Sequence, residues 1–149
     1  MKSKINKRFM LVALKKAKQG IKSGQLPFGA CVVKGNRIIS VAHNEIMKQH
    51  DITAHAEVQA IRSACKKLKT LDLSACTLYT TCEPCPLCFS VCHIAKIPKI
   101  IYGVSCSSTR KFGYKELLIP TKILKKVFGT KINIKSCFLE NKCLQLFQV

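Results

Sequence analysis

Residues 76–104 read CTLYTTCEPCPLCFSVCHIAKIPKIIYGV, and this stretch decides the fold. Cys76 to Thr80 is a short run of β-branched and aromatic residues, and Lys99 to Val104 repeats that character, so both predict strands. Between them Pro84 to Ala95 predicts a helix, opened by a proline whose missing N–H would have had no partner there. Strand, helix and strand in that order imply parallel pairing through a right-handed crossover, with helices covering a sheet. Outward toward the N-terminus, Val58, Ile61, Cys65 and Leu68 form one helical stripe opposite Arg62, Lys66 and Lys67, preceded by a polar loop from His43 to Ile52. Gly29 to Val33 and Arg37 to Val41 predict a hairpin joined by Lys34-Gly35-Asn36. Phe9, Val12, Ala13 and Ala17 recur at helical spacing, so Lys7 to about Ser23 predicts an amphipathic helix. Toward the C-terminus, Pro120 opens a helix to Phe128, Lys131 to Lys135 predicts a strand, and Leu139 to Phe147 a closing helix. There is no internal repeat and no low-complexity linker.

With 149 residues and 48% hydrophobic content, the chain suits one domain that buries roughly 70% of the surface its unfolded form exposes. Its longest apolar run near the start, Phe9 to Leu14, is short for a signal-peptide core and is followed by Lys15 and Lys16 in place of a cleavage site. No run approaches the roughly twenty apolar residues of a membrane span. A cytoplasmic protein is therefore expected, without a membrane partner. In that compartment its ten cysteines are reduced, so clustered ones read as metal ligands. The formal charge of +19 sets 26 basic residues against seven acids, a field that attracts polyanions. The basic residues are 22 Lys and four Arg spread along the whole chain, a distribution that a lysine-favouring composition also produces. Three of the few acids, Asp51, Glu57 and Glu83, lie inside or beside two cysteine and histidine motifs.

Those motifs are Thr53-Ala54-His55-Ala56-Glu57 and Cys82-Glu83-Pro84-Cys85-Pro86-Leu87-Cys88. They supply an imidazole, thiolates and a spare carboxylate. Both fall where a loop or strand runs into a helix start, and α/β sheets place ligands in loops at the carboxyl ends of parallel strands. Cys85 and Cys88, three apart on a helix, project from one face and can grip one ion. The positive end of the helix dipole favours their thiolate form. His55 and Glu57, two apart, point to opposite sides of a regular helix. Both reach one site only at a helix end, with Thr53 as the expected cap. One neutral His and two thiolates leave the fourth tetrahedral position of a zinc ion to water, one ion per subunit. Water held there ionises near neutral pH, and Glu57 can carry its proton.

Each motif alone is weak, since most H-x-E triplets are ordinary surface helix or satisfied core. H-x-E followed by P-C-x-x-C is the combination found in zinc nucleobase deaminases. A rival lies in the same stretch, because Cys82, Cys85, Cys88 and Cys92 reproduce the spacing of bacterial iron–sulfur ferredoxins. That pattern ends in Pro, whereas His93 follows here, and it leaves His55 and Glu57 without a purpose. A structural zinc on an RNA-binding module is the third reading. Cys31, Cys65 and Cys76 fall in predicted core positions and serve there as small apolar residues. Cys82 is expected to line the site without ligating, and His43, His50 and His93 to sit at the surface or beside the site.

Over about Phe9 to Ser105 the chain resembles the cytidine and deoxycytidylate deaminase superfamily. The blocks Leu26 to Ala30, Asp51 to Val58 and Tyr79 to Cys88 look most like bacterial guanine deaminases. The resemblance implies an α/β/α sandwich on a five-stranded mixed sheet, zinc held by His55, Cys85 and Cys88, proton shuttling by Glu57, and a homodimer. It also implies substrate contacts from Asn44, Phe28 and Ala56. The implied reaction is hydrolytic release of ammonia from a nucleobase or nucleoside, foremost guanine or a related small aminopurine or pyrimidine. The alternative substrate is adenosine in tRNA. The tRNA adenosine deaminases resembled here usually lack a Cys before Glu-Pro-Cys and carry an Asp-x-Lys-x-Gly type loop where this chain has Ser105 to Arg110. Guanine deaminases carry acidic residues after a Gly-Phe pair, where this chain has Gly113-Tyr114-Lys115-Glu116, so Glu116 is the candidate for a purine-selecting carboxylate.

Overall fold

A computed structural model describes residues 4–114 and 119–148. In chain order its elements are α1 (Lys7–Lys22), β1 (Gly29–Lys34), β2 (Arg37–His43), α2 (Ile46–Gln49), α3 (Ala56–Leu68), β3 (Cys76–Cys82), α4 (Pro86–Ile94), β4 (Lys99–Val104), α5 (Cys106–Arg110), α6 (Thr121–Phe128), β5 (Asn133–Lys135) and α7 (Glu140–Leu144), followed by a 3-10 turn at Gln145–Phe147. The sheet order is β2-β1-β3-β4-β5. β1 runs antiparallel to both β2 and β3, whereas β3, β4 and β5 are parallel. The fold is therefore a three-layer α/β/α sandwich on a mixed five-stranded sheet, as the sequence leads one to expect.

β3 is the hub. All of its seven residues are buried, as a strand with neighbours on both edges and helices on both faces requires. α1 packs across β1, β2 and β3 and meets the C-terminal 3-10 turn, while α7 lies on β4. α3 packs on β1 and β2 and touches α4, which in turn touches α6. α1 comes so near β1 that a Cβ at Gly29 would collide with the Ala13 carbonyl and the Ala17 backbone. Gly29→Ala should cost about 1–3 kcal/mol or more by overpacking, read as a lower denaturation midpoint at unchanged slope. A midpoint equal to the parent's would show that α1 can retreat from the sheet.

Several boundaries depart from expectation, each for a local reason. The loop from His43 to Ile52 holds the short helix α2, whose first N–H donates to Asn44 Oδ1 at 3.1 Å. α3 starts at Ala56, with His55 as its N-cap. Thr53 does not cap it, because its N–H and hydroxyl both donate to Asp51 Oδ1, at 2.8 and 2.6 Å. The buried face of α3 is Ala56, Glu57, Val58, Ala60, Ile61 and Ala64, with Cys65 and Leu68 only half-buried. Three small alanines let this helix settle close on the sheet, which turns its inner face by one residue relative to the apolar stripe. α4 starts at Pro86, so this proline and not Pro84 takes the first helical position, and Cys85 is the N-cap. Thus Cys85 and Cys88 do not share a helix face; they meet because the cap residue and the first turn point the same way. α2 and α5 are additional to the elements read from sequence, and the closing helix expected from Leu139 to Phe147 is divided between α7 and a 3-10 turn.

Candidate active site

The site forms at the carboxyl end of β3, where the N-termini of α3 and α4 converge. His55 and Cys85 are both N-cap residues in extended conformation, with φ, ψ of −67°, 153° and −67°, 171°. An extended residue ahead of a helix aims its side chain differently from one inside it. This removes the difficulty of two residues, His55 and Glu57, facing one centre. His55 Nδ1 lies 3.7 Å from Cys85 Sγ and 3.4 Å from Cys88 Sγ, and the three ligand atoms all fall within 4.8 Å of one another. A tetrahedral zinc with Zn–S of about 2.3 Å and Zn–N of about 2.0–2.1 Å demands N···S and S···S separations of about 3.5–3.8 Å. The donor set therefore fits zinc in both spacing and chemistry. Among the described residues, this is the one cluster of His, Cys, Asp and Glu that can hold a metal ion.

Glu57 stands against that cluster without joining it. It is buried, and its Oε2 lies 3.4 Å from Cys88 Sγ while its Oε1 accepts from the Thr80 hydroxyl at 2.9 Å. Burial, reinforced by the Cys85 thiolate, raises its carboxyl to about 7 in the metal-free protein. The thiol of Cys85 is lowered to about 4, first by the hydrogen bond from Cys88 and then by His55, while Cys88 is driven upward by keeping that proton and by burial. One thiolate is thus ready before any metal arrives, and binding an ion displaces the proton from the other.

Phe28, Asn44, Cys82 and Glu83 complete the lining of a small cleft. Asn44 is buried and its N–H donates to the Phe28 carbonyl at 3.1 Å. Because its Oδ1 is occupied by α2, its amide NH₂ is the end left to meet a ligand. Phe28 is backed by edge-on rings of Tyr114 and Phe147, at 5.5 and 5.7 Å. Ala56, also expected at the substrate, opens α3 between His55 and Glu57 and is buried. Glu116 lies outside the described residues. Of the rival cluster cysteines, Cys82 lines the cleft and Cys92 is buried in the core, and neither joins the metal group.

The sequence alone gives no role to Thr80 and, although it places Glu83 inside the cysteine motif, none to Glu83. The available signal was a run of polar Thr77, Thr80 and Thr81 in a strand buried throughout, since buried hydroxyls need partners. Thr80→Val leaves Glu57 Oε1 without its donor. Turnover should fall about tenfold with zinc retained, the usual cost of orphaning a buried acceptor. An unchanged kcat would show that Thr80 only fills space.

Two cap residues, a first-turn cysteine and a buried carboxylate at one strand end are the arrangement of a zinc-dependent hydrolytic deaminase. Residues 3–104 match the family model of the cytidine and deoxycytidylate deaminase zinc-binding region, and the chain belongs to that family. It is 45% identical over 95 residues to a tRNA-specific adenosine deaminase of Aquifex aeolicus, covering 64% of this chain and 63% of that relative. It is 38% identical over 116 residues to a guanine deaminase of Bacillus subtilis, covering 77% of this chain and 74% of the relative. Further relatives of comparable identity are mostly tRNA-specific adenosine deaminases. Among solved structures, the guanine deaminase from Nitrosomonas europaea superposes with a TM-score of 0.89 at 22% identity, over 99% of this chain and 85% of that one, a likeness of fold.

Proposed function

We propose that this deaminase removes the exocyclic amine of a free purine base, foremost guanine, with water as the second substrate and ammonia and the ring carbonyl as products. The observation that carries this reading is the lining of the cleft: Phe28, Asn44 and Glu57 stand together with the metal-binding residues, and Phe28 is backed by Tyr114 and Phe147 from the C-terminal third of the same chain. An aromatic face, a side-chain amide and a proton carrier beside the metal site are what one planar aminated ring requires.

In this reading His55, Cys85 and Cys88 hold zinc, which when bound acidifies a water molecule at neutral pH. Glu57 carries one proton of the attacking water to the ring nitrogen beside the amine-bearing carbon, and then the second to the departing amine, so that ammonia leaves and the ring carbonyl remains. Thr80 holds Oε1, so the proton moves on Oε2, the oxygen that faces Cys88 and the cleft. Asn44 donates its amide NH₂ to the base, and Phe28 packs against the ring face.

Adenosine in tRNA is the second reading, favoured by the charge of +19. A neutral base gains nothing from such a field, whereas a polyanion does, with binding that falls steeply as salt rises. An ammonia-release panel over guanine, adenine, cytosine, their nucleosides and a tRNA anticodon stem decides. Turnover of guanine supports the first reading, and turnover of the stem alone overturns it.

We also propose a homodimer in the cytoplasm. α3 and α4 leave an apolar groove floored by Ile61 and Val91, and beside it Leu71 and Ile94 are 83% and 75% exposed. All ten cysteines are free thiols, as a reducing compartment requires. No helix among the described residues is long and apolar enough to cross a membrane. Sedimentation equilibrium of the zinc-loaded protein tests the dimer, and a single species of 16.6 kDa would remove it.

A further inference from the structure

Glu83 sits two residues before Cys85, is 6% exposed, and has no part in the proton or metal chemistry above. Its carboxylate is nonetheless engaged on both oxygens. Oε1 accepts from the Cys106 backbone N–H at 3.1 Å, at the first residue of α5. Oε2 accepts from the backbone N–H and the hydroxyl of Thr121, each at 2.8 Å, at the first residue of α6. The Glu83 N–H donates to the Val104 carbonyl at 2.7 Å. One residue thus ties the exits of β3 and β4 to the starts of two helices. α6 has Pro120 as its N-cap and no side-chain cap of its own, so Glu83 serves as that cap from 38 residues away in sequence.

The two helix starts bracket the segment that carries Phe112 and Tyr114. Tyr114 stacks edge-on to Phe28 and Phe147, and Phe112 lies over Phe147 at 6.0 Å. Phe28 and Glu83 both line the cleft. A chain of contacts therefore runs from the metal-binding loop through Glu83 and α5 to Phe112 and Tyr114 behind the aromatic wall.

We infer that Glu83 is a positioning residue for the substrate base, holding the wall formed by Phe28 and Tyr114 at a set distance from the metal-binding loop. The clamp stands on these hydrogen bonds alone; its consequence for the substrate rests on the purine-deaminase reading. Only a carboxylate suits the place, because it must face N–H donors on both oxygens. The amide of a Glu83→Gln variant turns its NH₂ against either Cys106 N–H or Thr121 N–H whichever way it flips. One helix start then loses its partner.

The test compares zinc-loaded parent, Glu83→Gln and Thr121→Ala, the last removing one bond to Glu83 while leaving the sequence of the metal loop intact, and serving if Glu83→Gln fails to fold. Hydrogen exchange, which needs no substrate, should be about tenfold faster in Glu83→Gln at whichever of the Cys106 and Thr121 amides loses its acceptor. In Thr121→Ala it should be about threefold faster at residue 121, since one of several bonds is lost there. Bound zinc should equal the parent's in both. With guanine and with the tRNA anticodon stem assayed in parallel, KM should rise about tenfold in Glu83→Gln while kcat stays within about threefold, the signature of lost binding and not of lost chemistry. Parent-like exchange at both amides overturns the clamp. A KM equal to the parent's, or a fall in kcat alone, overturns the positioning role. If the parent turns over neither substrate, the purine reading fails, and the exchange data still decide for or against Glu83.

Discussion

Glu57→Gln should lower kcat by about 10³-fold, within the roughly 10²–10⁴ that a positioned proton carrier contributes, while bound zinc stays at the parent's level. The substitution is close to isosteric. Its amide oxygen can still accept from the Thr80 hydroxyl that now bonds Oε1 at 2.9 Å, so the packing of β3 against α3 need not change. What disappears is a group able to take a proton from water and return it to the base. Because Glu57 stands outside the His55, Cys85 and Cys88 cluster, metal content should not follow activity downward. Ammonia release and zinc content measured on the same preparation check this, and a variant retaining a tenth of the parent's turnover would exclude Glu57 as the proton carrier.

Removing a ligand should have the opposite pattern. Cys88→Ala deletes the sulfur nearest to His55, at 3.4 Å, and leaves a single thiolate and an imidazole, too few to hold a catalytic zinc whose protein ligands number three. Bound metal should fall from about one ion per chain to under about a tenth, and turnover with it. The parent stripped by a chelator should lose activity equally but recover it on adding zinc, whereas Cys88→Ala should not recover. Stability should move too. Zinc binds the folded site and not the unfolded chain, so free metal at about a thousand times its dissociation constant adds about 4 kcal/mol to the unfolding free energy. A chelated parent whose denaturation midpoint and activity both match the untreated protein would remove zinc from the account.

The C-terminal third marks the limit of what could be foreseen. Apolar patterning located α6 to its last residue, because Pro120 and Gly129 bracket it, the latter in the left-handed conformation that ends helices. The same patterning missed α5, since Cys106 to Arg110 has neither an apolar stripe nor the length to show a period. It is held instead by Ser105, whose hydroxyl accepts from the Ser108 N–H, and by Glu83. The last helix was foreseen from Leu139 to Phe147 but breaks into α7 and a 3-10 turn. A Cβ at Gly103 would strike Cys143, which shows how closely α7 sits on β4. Such contacts join residues tens of positions apart and leave no local periodicity.

What the sequence determined by itself was the alternation of strand and helix, the pairing of H-x-E with P-C-x-x-C, and so the class of chemistry. Each of these depends on near neighbours: β-branched runs for strands, apolar periods for helices, and ligand types at short spacing for the metal. What only the tertiary structure decided was how those parts face one another. His55 and Cys85 reach a common centre because each stops just short of its helix, Thr80 steadies Glu57 from a neighbouring strand, and Glu83 binds two distant helix starts to the metal loop. Directions of side chains across a sheet depend on where backbones end and turn, and those are set by packing of the whole chain.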